Sequence, residues 1–152
     1  MLNITINGIS IAKYSINNYS KIISLINPGV KTEFGWPIHD NHKIIECYDT
    51  DEVINNFHPP TINNIREILL FSKDFSSKDK IMIHCNMGVA RSTATTIGIL
   101  VQHGVSTLDA FKYVYQIRQV MKPNKTILKL MDQELGLGSK LFDLSNTPEL
   151  WK

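Results

Sequence analysis

The chain has 152 residues, 43% of them apolar and 20% charged, enough to bury the core of one globular domain. Its 16 basic and 14 acidic side chains leave a formal charge of +2, and no run of five or more basic residues marks a nucleic-acid or membrane-surface partner. No stretch reaches the roughly 18 apolar residues of a membrane span, and Met1-Leu2-Asn3-Ile4-Thr5 does not read as a signal peptide. Two cysteines cannot build a disulfide framework, so a reducing cytoplasm is the expected setting.

Leu2 to Ile6 alternates apolar and polar residues, which predicts a strand ending at Asn7-Gly8. Lys21 to Ile26 reads as a second strand, closed by Asn27-Pro28-Gly29. Lys43 to Tyr48 reads as a third, running into the acidic turn Asp49-Thr50-Asp51. After Pro59-Pro60, the spacing of Ile62, Ile65, Ile68 and Leu69 predicts a helix over about 61–75. Lys80-Ile81-Met82-Ile83-His84 is a continuous apolar run suited to a buried parallel strand. From Arg91 the pattern turns helical through Ala94, Ile97 and Val101. Ser106-Thr107-Leu108-Asp109 then opens a further helix with Leu108, Phe111, Val114 and Tyr115 on one side. Pro123-Asn124 stops it, and a last helix runs to about Leu135 before Gly136. Strands alternate with helices first and helices dominate later. The fold class is therefore α/β, one domain over 1–152, with a mostly parallel sheet of four or five strands flanked by helices.

The specific chemistry lies in His84-Cys85-Asn86-Met87-Gly88-Val89-Ala90-Arg91-Ser92. A buried strand ends at a cysteine, five residues wrap round, and an arginine begins a helix. The backbone N–H groups of Asn86, Met87, Gly88, Val89 and Ala90 can point inward as an anion nest, reinforced by the helix N-terminus. Arg91 can close that nest on a phosphate with two parallel hydrogen bonds. Gly88 supplies the backbone freedom of a tight wrap. The same field favours the Cys85 thiolate, and a thiolate beneath a bound phosphorus can attack in line to give a phosphocysteine. Ser92 is placed to hydrogen-bond the sulfur and assist its departure.

At these residues the chain resembles the cysteine-based protein tyrosine phosphatase superfamily, with its His-Cys-x5-Arg-Ser/Thr signature. It is most similar to the compact dual-specificity branch, particularly small bacterial-type tyrosine phosphatase-like proteins. The resemblance spans roughly residues 20–138, including Arg118, Pro123-Asn124 and Asp132-Gln133-Glu134-Leu135-Gly136 in the helical tail. Ala90 departs from the Ser, Lys or Gly that relatives carry there, at a position that contributes only backbone. The resemblance implies a phosphoprotein phosphatase acting on phosphotyrosine, and on phosphoserine or phosphothreonine if the pocket is shallow, with no cofactor or metal. It gives His84 the role of buttressing the loop and keeping Cys85 ionised. It also puts the general acid 30 to 40 residues before the nucleophile, after a strand. Asp49 fits best and Asp51 is the alternative, while Asp40, after Trp36-Pro37, precedes its strand instead of following it. By the same resemblance, Cys47 could pair with an oxidised Cys85 if the two strands are adjacent.

His39, His42 and His58 do not fall at metal-ligand spacing and read as loop or surface residues. Rival functions are an inositol phosphate phosphatase, disfavoured by a loop without lysine, a phosphate-binding pseudoenzyme, and an arsenate reductase with only Cys47 as resolving thiol. The expected partner is a phosphorylated protein or peptide; nucleic acid and membrane are not expected partners.

Overall fold

Ile81, Met82 and Ile83 form a run that needs cover on both faces, and the computed structural model, which describes residues 1–152, supplies it with two layers of helix. Strand β1 (Asn3–Gly8) leads into α1 (Ile9–Ser15), β2 (Lys21–Ile26), α2 (Val30–Phe34) and β3 (His42–Glu46). Helix α3 (Ile62–Ser72) precedes β4 (Lys80–Cys85), and α4 (Arg91–Gln102), α5 (Thr107–Ile117), α6 (Lys125–Leu135) and α7 (Lys140–Ser145) complete the order. The four strands are all parallel, in the order β1-β4-β2-β3.

Alternation along the strands divides the core. Ile23, Leu25, Ile81 and Ile83 face a 26-residue cluster shared with α3 through α7, whereas Ile22, Ile26 and Met82 face a smaller cluster with Ala12, Ile16 and Trp36. Each fully buried aliphatic side chain contributes about 1.5–3 kcal/mol relative to exposure. The central helix α4 is buried along almost its whole length. Gly98 lets α6 approach it, since a Cβ there would collide with Met131. Asp132, buried near the end of α6, accepts the Leu141 and Phe142 amides at 2.9 and 3.0 Å and so fastens α7.

Three of the differences from the sequence expectations have plain causes. Helix α1 buries only Ala12, and α2 has five residues ended by Gly35 in the left-handed region, so neither carries a helical stripe long enough to read. Helix α7, also short, is held by the carboxylate of Asp132. Strand β3 begins and ends earlier than Lys43 to Tyr48. It lies beside β2 at the sheet edge, so the Cys47 strand is not adjacent to the Cys85 strand. His42 is also corrected: it is buried at the start of β3, not on a loop or the surface. No helix is long and apolar enough to cross a membrane.

Candidate active site

In an open parallel sheet, ligands gather at the carboxyl ends of the strands, where loops diverge to the two helical layers. Here the segments after β2, β3 and β4 converge on a cleft of about 520 Å³ lined by Asn27, Tyr48, Asp49, Cys85, Met87 and Arg91, among others.

Cys85 ends β4 and is buried. Its Sγ lies 3.2 Å from the Ser92 Oγ and accepts the Gly88 N–H at 3.2 Å. Burial alone would raise the thiol's pKa. The Ser92 hydroxyl and N–H, the Arg91 guanidinium and the Gly88 N–H outweigh that cost, and the net shift is downward. Gly88 adopts φ +69°, and a Cβ there would stand 2.7 Å from the Asn7 carbonyl carbon and 2.8 Å from the Gly8 nitrogen. The wrap thus requires glycine for both conformation and space.

One side chain and two backbone amides fix the loop from outside. Arg118 donates from Nε to the Gly88 carbonyl at 2.9 Å and from its fork to the Met87 carbonyl at 3.2 Å. With those carbonyls held outward, the intervening N–H groups are free to face inward. The Lys122 and Asn124 amides donate to the Val89 and Ala90 carbonyls at 2.9 and 3.0 Å.

Arg91 is almost fully buried at the start of α4. One terminal nitrogen donates to the Cys47 carbonyl at 2.6 Å and to the Asn27 Oδ1 at 2.9 Å. Its Nε is buried and has no partner within the protein. A buried cationic donor left unpaired is costly unless an anion accepts from it.

Asp49 and Asp51 part company. Asp49 lines the cleft and its Oδ1 accepts from the Asn124 side chain at 2.9 Å. Asp51 is exposed and turns to the N-terminus of α6, where it accepts from the Thr126 Oγ1 at 3.1 Å. Asp40 is exposed in the turn before β3 and does not line the cleft. Trp36 packs in the smaller core, stacked on Phe34. Cys47 and Cys85 are both free and buried, and burial pushes the Cys47 thiol up to about 11.

One wall of the cleft escaped the sequence reading. Ile54 and Phe57 exchange backbone hydrogen bonds across Asn55 and Asn56, which have φ 49° and 69°. Two positive φ values at the centre are the demand of a type I′ hairpin turn, and Asn tolerates them. Phe57 stacks on Tyr48 with centroids 4.5 Å apart. The apolar-Asn-Asn-apolar pattern was the available signal.

A strand-loop-helix cradle that runs from a buried cysteine to a buried arginine is the mark of the cysteine-based phosphatase superfamily. The dual specificity phosphatase catalytic-domain family matches residues 6–134, and the chain belongs to it. It is 32% identical over 102 residues to human protein phosphatase Slingshot homolog 2, covering 55% of this chain and 7% of that protein. Against human dual specificity protein phosphatase 7 it is 27% identical over 146 residues, covering 93% of this chain and 32% of the relative. The chain thus spans a third or less of the length of these relatives. The fold matches that of Cydia pomonella PTP-2 phosphatase at TM-score 0.62 and 21% identity, covering 86% and 84% of the two chains. It also matches that of the human tyrosine phosphatase-like serine/threonine/tyrosine-interacting protein at 0.61 and 18%, covering 86% of each.

Proposed function

We propose that this chain hydrolyses phosphotyrosine in proteins through a phosphocysteine intermediate, with Cys85 as nucleophile and Asp49 as general acid. The observation that carries the reading is the pairing of a thiol lowered in pKa with a buried arginine Nε that has no protein partner, on two residues that line one cleft. The Cys85 thiolate attacks phosphorus, the bond to the substrate oxygen breaks, and Asp49 protonates that oxygen. Asp49 then takes a proton from water, water attacks phosphorus, and the sulfur–phosphorus bond breaks with the leaving thiolate stabilised by Ser92. Arg91 and the N–H groups from Asn86 to Ser92 stabilise the phosphoryl oxygens throughout.

The cleft wall favours a phosphorylated aromatic ring. Tyr48, Ile54 and Phe57 supply flat and apolar surface, and Arg91 is the only cationic side chain among the lining residues. A polyanionic inositol phosphate would lack partners for its remaining phosphates. Phe57→Ala is expected to raise KM for a phosphotyrosine peptide roughly fivefold, the equivalent of about 1 kcal/mol of aromatic contact, with kcat little changed. Steady-state kinetics on that peptide and its phosphoserine counterpart check this, and equal effects on both would remove the aromatic preference.

The reading is tested by hydrolysis of a phosphotyrosine peptide from pH 4.5 to 8 in EDTA, with acid quench to trap phosphocysteine. Turnover needs the Cys85 thiolate, so activity falls on the acid side as the sulfur is protonated. It also needs a proton for the departing oxygen, which the Asp49 carboxyl supplies. Asp49→Asn is expected to lower kcat roughly 100-fold on that peptide. Asp51→Asn is expected to keep the wild-type kcat; the reverse result would transfer the acid to Asp51. Peptide binding without any turnover in the wild type would instead make the chain a phosphate-binding module.

A further inference from the structure

The face of the sheet opposite α4 buries a polar chain that the proposed chemistry leaves unused. Ser24, His42 and His84 are all nearly inaccessible. The Ile38 amide lies 3.1 Å from His42 Nδ1, His42 Nε2 lies 2.8 Å from Ser24 Oγ, and Ser24 Oγ lies 2.5 Å from His84 Nε2. His84 Nδ1 reaches the Cys85 carbonyl at 3.4 Å. The backbone fixes the direction of every link. An amide can only donate, so His42 Nδ1 is bare and its Nε2 carries the proton. Ser24 accepts that proton and spends its own on His84 Nε2. His84 is left protonated on Nδ1, which donates to the only group in reach, a carbonyl that can only accept.

We propose that Ser24 and His42 are positioning residues for the nucleophile, acting through His84 by fixing its Nδ1–H tautomer. The peptide joining Cys85 to Asn86 has its carbonyl on the His84 side and, in a trans peptide, its N–H on the opposite side. Donation to the carbonyl holds that plane and polarises the N–H. The opposite tautomer would set two lone pairs against each other and free the peptide to rotate.

The surroundings keep both rings neutral. Burial pushes His42 down to about 4, helped by His84 and by His39, whose ring centroid is 6.4 Å away. Burial likewise pushes His84 down to about 4, and the Arg91 charge acts in the same direction. Trp36 presents its indole to both imidazoles, at centroid distances of 5.4 and 5.2 Å.

This proposal rests on Cys85 being the nucleophile, but its tests do not need turnover. Long-range proton–nitrogen correlations on 15N-histidine-labelled wild type are expected to show His84 protonated on Nδ1 and His42 protonated on Nε2, unchanged from pH 7.5 to about 5. Either ring found in the other tautomer overturns the proposal, without any variant. In Ser24→Ala, the His84 signature is expected to become mixed. The pH midpoint for alkylation of Cys85 by iodoacetamide should rise by about one unit, leaving roughly tenfold less thiolate on the acid side. Ser24→Thr keeps the hydroxyl and is expected to restore both signatures, although it adds a methyl group to a fully buried site. A purely structural role would rank alanine above threonine, and an alkylation midpoint unmoved in folded Ser24→Ala would sink the idea. Alkylation and tautomer signatures that behave as expected in a protein that hydrolyses nothing would leave the positioning chain standing and remove the phosphatase reading.

Discussion

Cys85→Ser is expected to abolish hydrolysis, lowering kcat at least about 10⁴-fold, while leaving phosphotyrosine-peptide binding measurable by calorimetry. The argument is one of ionisation. The loop lowers the thiol pKa through the Ser92 hydroxyl and N–H, the Arg91 charge and the Gly88 N–H, against the opposing cost of burial. A hydroxyl ionises many units higher than a thiol, beyond what the same donors can shift. Serine is close in size to cysteine, so the nest, Arg91 and Asp49 keep their places. Retained turnover would mean that another group attacks phosphorus. Loss of both turnover and binding would instead mean that the cradle had collapsed.

Arg91→Lys is expected to lower kcat/KM by about 100- to 1,000-fold, with most of the loss in kcat. Arg91 does three jobs with one planar fork. One terminal nitrogen is committed to the Cys47 carbonyl and the Asn27 side chain, and the partnerless Nε remains for an anion. A lysine ammonium is a single point charge on a flexible stem, so it cannot hold the β2 and β3 ends and clamp phosphate at once. Leaving the Cys47 carbonyl without its donor costs a further ~1–3 kcal/mol of stability, read as a lowered midpoint in urea. Wild-type kinetics in Arg91→Lys, with only the midpoint lowered, would confine this arginine to a structural role.

What could be read from the sequence was what is local along it. The cradle occupies nine consecutive residues bounded by a buried strand and a helix start, so its identity and its place in the fold are legible from letters and spacing alone. The parallel α/β class followed from the same alternation of runs. The remainder depends on long-range pairing. His42 and His84 lie 18 and 60 residues from Ser24, and nothing local separates a buried relay histidine from a loop histidine; His42 was accordingly misplaced. The choice between Asp49 and Asp51 for the cleft turned on Asn124 and Thr126, each 75 residues away. The distance between the Cys47 and Cys85 strands depended on strand order, because β2 intervenes. The short helices α1, α2 and α7 bury too few residues for a 3.6-residue period to emerge.

The spread of Arg91's anchors has a consequence for the life of the chain before it is folded. Its guanidinium bridges Asn27 and Cys47, which precede it by 64 and 44 residues. Arg118, which holds the loop carbonyls, follows Gly88 by 30. No fragment that lacks any of these segments can assemble the full set of bonds that steadies the sulfur's negative charge. On the proposed mechanism, a nascent or partly unfolded chain is expected to carry an ordinary thiol, and the sulfur is expected to gain its reactivity towards an electrophile or oxidant only once the whole sheet has closed. Reactivity at Cys85 would in this sense be a late-acquired property, a chemical reporter that folding has finished.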